Sequence, residues 1–174
     1  AGLLTQPTTA REKDTLLSRV SQALARKAGS RTYVAVVHRL DKDSSGLVAF
    51  ATSKRGLAAL QKQLEDRSMG RTYDALVEGN LAEESGTFRE DLAGDGTHRR
   101  RWVARPGERG KPAVTHWEVV QRFGLATQVR VRLETGRTHQ IRIHFAAAEH
   151  PVIGERVYRK RSFGEPPVKT PRQA

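Results

Sequence analysis

The sequence predicts an α+β domain built on one mixed, mostly antiparallel sheet with flanking helices. Three observations carry that prediction. Segments 14–28 and 53–67 repeat apolar residues at helical spacing, and segments 71–79 and 113–134 alternate apolar and polar residues at strand spacing. Between two apolar runs lies a charged stretch, residues 38–45, where chemistry is expected to sit on a rigid base. With 174 residues the chain fits a single domain, 1–174, able to bury roughly 70% of its unfolded surface.

In order along the chain, Asp14 is placed to cap a first helix in which Leu16, Leu17, Val20 and Leu24 share a face and Gly29 ends the run. The basic last turn, with Arg26 and Lys27, suits the helix dipole and is not in itself a sign of RNA. Tyr33 to Val37 reads as a buried strand and Gly46 to Ala51 as another. In the connection, Asp41, Asp43, Ser44 and Ser45 can bond the backbone and Gly46 supplies a permissive dihedral, which is how a plain turn would read. Ser53 caps a second helix reaching about Arg67, with Leu57, Leu60 and Leu64 on its buried side and Gly70 beyond its end.

Arg71 to Gly79 alternates as a strand, with Tyr73, Ala75 and Val77 on one face and Thr72, Asp74 and Leu76 on the other. Residues 80–112 are irregular, with short strands expected near 86–91 and 101–104. There His98-Arg99-Arg100-Arg101-Trp102 could contact phosphates and stack on a base, or form a solvated loop whose Trp102 anchors a hairpin. Ala113 to Phe123 and Leu125 to Glu134 form a hairpin turning at Phe123-Gly124, with Val129, Val131 and Leu133 alternating against Gln128, Arg130 and Arg132. Thr135-Gly136 breaks the strand, and Arg137 to Glu149 reads as a helix or turn-helix with Ile141, Phe145 and Ala148 inward and Arg142 at the edge of that face. Residues 160–174, with Pro166, Pro167 and Pro171, are expected to be an extended or disordered tail.

Lys and Arg total 31 against 19 Asp and Glu, a net charge of +12 that favours a polyanionic partner, with nucleic acid first. No run approaches the ~18 apolar residues of a membrane span, so no membrane partner is expected. With no cysteine, disulfide and thiolate chemistry are excluded, and the cytoplasm is the default compartment. His139, His144 and His150 are spaced by five and six residues, not on the i, i+4 face of a zinc helix, so no metal is expected.

His38-Arg39-Leu40-Asp41-Lys42-Asp43-Ser44-Ser45-Gly46-Leu47 resembles the catalytic motif HRLDxxTSGL of the RluA-type pseudouridine synthases. Further matches follow in that family's order. Arg71 to Val77 resembles its (K/R)xYxALV strand, Gly110 to Trp117 its GKxAxTxY segment, Glu134 to His144 its TGRTHQIRVH motif, and His150 to Glu155 its HPIxGD turn. Ser44 stands for the usual Thr and Glu155 for the usual Asp, which bears on side-chain bonding in that last turn. Ala1 to Pro7 resembles the second half of a KPAGL segment, so the resemblance implies further strands before Ala1 and after Ala174, and unpaired sheet edges without them.

The resemblance implies a catalytic domain that isomerises uridine to pseudouridine in structured RNA, ribosomal or transfer, with no cofactor and as a monomer. Asp41 would be the essential residue, as nucleophile on the nucleotide or as base toward a ribose proton; the sequence does not choose. Either role needs an ionised carboxylate in a dry pocket, and by family position Arg142, with Arg137 as second choice, supplies the cation, within ~4–6 Å. Tyr73 would pack on the target base and shuttle the C5 proton. Arg39 is the candidate wedge that fills the gap left by the flipped nucleotide, or else an ion-pair partner of Asp43. His38, Arg137, His139 and Gln140 are the expected RNA-binding residues.

Two rival readings differ in class. A non-catalytic RNA-binding or ribosome-associated protein accounts for the charge but not for Asp41, Tyr73 and Arg142 occurring together. A metal-independent nuclease or hydrolase would use His38 and Asp41 and would cleave RNA.

Overall fold

The computed structural model describes residues 1–95 and 101–159. The expected tail at 160–174 and His98, Arg99 and Arg100 of the basic cluster lie outside them. The chain divides into two compact units, Ala1–Met69 and Gly70–Ala174. No helix is long and apolar enough to cross a membrane among the described residues.

In the first unit, α1 (Leu16–Ala28) starts one residue later than the sequence suggests, because Thr15 and not Asp14 is the cap. Thr15 Oγ1 accepts the Ser18 amide at 3.2 Å and Ser18 Oγ accepts the Thr15 amide at 3.0 Å, a reciprocal box that satisfies two helix-start donors. Asp14 turns outward to Arg19, 2.7 Å away. Gly29 closes the helix at φ 67°, in the left-handed region that costs glycine nothing. The second helix, α2 (Lys54–Glu65), is capped by Ser53 as expected, its hydroxyl accepting the Gly56 amide at 3.0 Å.

The strands between these helices are shorter than predicted. β1 is Ala35–Val36 and β2 Phe50–Ala51, paired antiparallel, and Leu47 is 94% exposed. Val37 still donates to the Ala49 carbonyl at 3.3 Å, but the Ala49 amide donates to His38 Nε2 at 3.1 Å. A side chain thus takes the donor that would have continued the ladder, and residues 38–48 leave it as a loop.

The second unit is organised on a four-stranded antiparallel sheet in the order β3 (Thr72–Glu78), β8 (Ala126–Leu133), β7 (Thr115–Arg122), β4 (Ser85–Phe88). A separate ladder pairs β5 (Leu92–Gly94) with β6 (Arg101–Val103), so the α+β class holds while the strands of the described residues form three antiparallel sheets in place of the expected single mixed one. The β7–β8 hairpin turns where predicted, with Gly124 at φ 81° and the Phe123 amide on the Ala126 carbonyl at 2.7 Å. The outer edge of β3 is partly covered by the chain itself: Val77 bridges Val152, and Ile153 donates to the Leu76 carbonyl at 2.8 Å.

The core lies on the sheet face carrying Val77, Trp117, Val129 and Val131, against Phe145 of α3 (Gln140–Ala147). Phe88 meets Phe145 edge to face at 5.1 Å. The inward face of α3 is wider than its sequence period suggests and includes Ile143 and His144. His144 is 1% exposed because its ring is fully bonded, Nδ1 to Thr115 Oγ1 at 2.9 Å and Nε2 to the Glu90 carbonyl at 3.1 Å. Burial lowers its pKa, with the Glu90 carbonyl acting in the opposite sense.

Candidate active site

Asp41 sits half-buried in a tight turn closed by the Ser44 amide on its own carbonyl at 3.0 Å. Gly46, at φ 147°, turns the chain back toward β2 with Leu40 Cδ1 3.6 Å from where a Cβ would stand. The loop is braced on both sides of Asp41. Thr5 Oγ1 accepts the Leu40 amide and donates to the Leu40 carbonyl, each at 3.2 Å, and the Gly2 amide donates to the Lys42 carbonyl at 2.7 Å. His38 is held by accepting the Ala49 amide at Nε2, which leaves the ring proton to Nδ1. Arg39 is exposed and makes no ion pair with Asp43 among the described residues. The structure therefore groups His38, Arg39 and Asp41 on one rigid loop.

In the second unit, the turn before α3 is built around Gln140. Its Oε1 accepts the Thr135 hydroxyl at 2.8 Å and the Arg137 amide at 3.0 Å; its Nε2 donates to the Val114 carbonyl at 3.0 Å and to Thr115 Oγ1 at 2.9 Å. With every amide position used and 2% exposure, Gln140 holds the turn from within. The hydrogen-bond chain runs on through Thr115 to His144, so turn and helix share one buried polar network. His139 enters α3 at φ 57°, an uncommon conformation for a residue with a Cβ, and its Nδ1 meets the Tyr158 hydroxyl at 2.6 Å. Arg137 is exposed, with Nε on the Pro112 carbonyl at 3.0 Å.

Arg142 is aimed by a partner that sequence reasoning missed. Glu155 takes its Nε at 2.6 Å and its Nη2 at 3.0 Å in a bidentate pair, and the Tyr158 ring lies 5.2 Å from the guanidinium carbon. Burial alone would push the Glu155 carboxyl up, but the Arg142 guanidinium and the Val157 and Tyr158 amides outweigh it and hold the group below the usual carboxylate range. Tyr73 is half-buried on β3, opposite Val131, and packs on the border of the main core cluster. The unit thus gathers Arg137, His139 and Arg142 on one turn and the helix it opens, with Tyr73 on the sheet.

Trp102 on β6 pairs with Ala93 of β5, and its indole donates to both Glu108 oxygens, in the segment that follows, at 2.9 and 3.0 Å. Thr5 and Glu155 were not identifiable as site residues because their partners are 35 and 13 positions away; for Glu155 the HPxxG turn marked the place but not the partner.

Residues 1–147 match the RNA pseudouridylate synthase family. Ribosomal large subunit pseudouridine synthase D of Salmonella typhimurium is 42% identical over 123 residues, 71% of this chain and 37% of that protein. An RNA pseudouridine synthase of Bacillus subtilis is 38% identical over 163 residues, 91% of this chain and 52% of that one. The synthase D of Pseudomonas aeruginosa is 38% identical over 168 residues, 97% of this chain and 51% of its own length. The chain spans about a third to a half of the length of these relatives. The fold is shared with human RNA pseudouridylate synthase domain containing 1, at a TM-score of 0.70 and 24% identity over 85% of this chain and 61% of that one. With the family matched across all but the last residues, and the motif loop and turn-helix folded as units, the chain belongs to the RNA pseudouridylate synthase family.

Proposed function

We propose that this chain carries the catalytic domain of an RNA pseudouridine synthase, acting on a uridine of structured RNA, ribosomal or transfer, with Asp41 as the catalytic residue. The observation that supports this best is the Asp41 loop, a family motif braced by the Thr5 hydroxyl before Asp41 and by the Gly2 amide after it. The reaction breaks the N1–C1′ bond of uridine, turns the base and joins C5 to C1′; the C5 proton is lost and N1 gains one, so the product is an isomer and side chains suffice. Asp41 either attacks the nucleotide or removes a ribose proton. Tyr73 and Arg142 keep the roles that their motif positions imply. Arg39, exposed and without an Asp43 pair among the described residues, suits a wedge that replaces a flipped nucleotide at a cost of a few kcal/mol. His38, Arg137 and His139 are proposed as RNA-facing residues, and Gln140 as the residue that holds their turn. The reading includes a monomer working in the cytoplasm.

Purified chain given RNA labelled with tritium at uridine C5 is expected to release tritium. Asp41→Asn should release none yet bind RNA within about threefold of the parent, because affinity rests on phosphate contacts and not on one carboxylate. Full activity in that variant would remove Asp41 from the chemistry; RNA cleavage in place of tritium release would point to a nuclease.

A further inference from the structure

We propose that Thr5 is a positioning residue for catalysis, its hydroxyl orienting the peptide that carries Asp41; the proposal rests on the reading of Asp41 given above. Between Gly2 and Ala10 Thr5 stands out: it is 5% exposed, whereas Gln6 to Ala10 are all exposed. A hydroxyl taken out of water needs partners. Both of its bonds go to a single residue, accepting the Leu40 amide and donating to the Leu40 carbonyl at 3.2 Å each. That carbonyl belongs to the peptide joining Leu40 to Asp41. One side chain therefore orients the peptide planes on both sides of Leu40, and with them the direction in which Asp41 leaves the backbone.

The clamp is itself anchored. The Thr5 carbonyl accepts the Leu17 amide at 3.0 Å and the Leu4 carbonyl accepts the Leu16 amide at 2.8 Å, so two of the open donors in the first turn of α1 are satisfied by this segment. The helix start is in turn set by the fully buried Thr15 box. Beyond Asp41, the Gly2 amide holds the Lys42 carbonyl at 2.7 Å. Residues 2–5 thus form a splint that spans the catalytic position and ties it to a helix. Because Thr is branched at Cβ, its χ1 is restricted and the hydroxyl is already aimed.

Valine has the shape of threonine without the hydroxyl, so Thr5→Val separates positioning from packing. Positioning predicts a kcat lower by on the order of 10²-fold for tritium release, the effect of ~1 Å misplacement at a reacting centre, with KM and RNA affinity within about threefold. Thr5→Ser, which restores both bonds, should recover most of that rate. A purely structural role predicts instead a lower melting temperature with kcat unchanged per folded molecule. If the valine variant does not fold, Thr5→Cys, similar in size but a weak hydrogen bonder, should show a smaller kcat loss in the same direction. Folded valine or cysteine variants with the parent's kcat would overturn the proposal. A parent inactive on labelled RNA would remove the synthase reading and this proposal with it, whereas an active parent, an inactive Asp41→Asn and a fully active Thr5→Val would remove this proposal alone.

Discussion

Arg142 shows how a side chain expected in catalysis is held before any substrate arrives. A guanidinium on a free stem samples many rotamers; here Glu155 fixes it through two parallel bonds, and two backbone amides fix Glu155. The Glu155 side chain is 1% exposed, so its charge persists because four donors surround it. Glu155→Gln keeps the size and loses the charge, and should lower stability at neutral pH by about 2 kcal/mol in denaturant melts. Since the folded pKa of Glu155 lies below its unfolded value near ~4.3, its contribution is complete above that pH and is lost as pH falls through the folded value. The stability gap between parent and variant should therefore close below about pH 4. A gap unchanged at pH 3 would show that the charge is not what stabilises the turn.

At the scale of elements, the sheet depends on one close approach between neighbouring strands. Gly86 on β4 pairs with Trp117 on β7, and a Cβ at Gly86 would stand 2.6 Å from Trp117 Cζ2 and 2.8 Å from Cε2. The indole cannot withdraw, being 7% exposed and packed against Phe88 and Phe145. Gly86→Ala should therefore cost about 2 kcal/mol by overpacking, seen as a melting temperature lower by roughly 4–8 °C. An unchanged melting temperature would mean that β4 shifts freely and is not a fixed member of the sheet. The hairpin and the two long helices need no such contact to be recognised, because period, cap and turn residues are local properties.

For the whole molecule the dominant quantity is charge, +12 over 174 residues. Several ion pairs, such as Arg19 with Asp14 and Arg122 with Glu84, are exposed and contribute little to stability, which leaves the basic excess available to a polyanion. RNA binding by the chain should weaken along a straight line of log affinity against log salt, with a slope reporting several neutralised phosphates. Filter binding or fluorescence anisotropy between about 50 and 200 mM salt tests this. A flat response would assign the charge to solubility alone.

The sequence by itself determined the α+β class, the α1 and α2 spans to within two residues, the hairpin turn at Phe123-Gly124 and the family, because each is written in local periodicity or contiguous motifs. It also located the loop bearing Asp41 and the turn-helix bearing Arg142. Tertiary structure decided the rest. That Thr15 and not Asp14 caps α1 follows from which side chain is buried at the helix start, and that β1 and β2 stop after two pairs follows from a histidine ring taking a ladder donor. Gln140 is the hub of its turn because four partners from two segments, 114–115 and 135–137, meet it, and Thr5 and Glu155 gained their meaning from residues 35 and 13 positions away. Hydrogen bonds of that kind are satisfied only once the chain has folded, so no local pattern announces them.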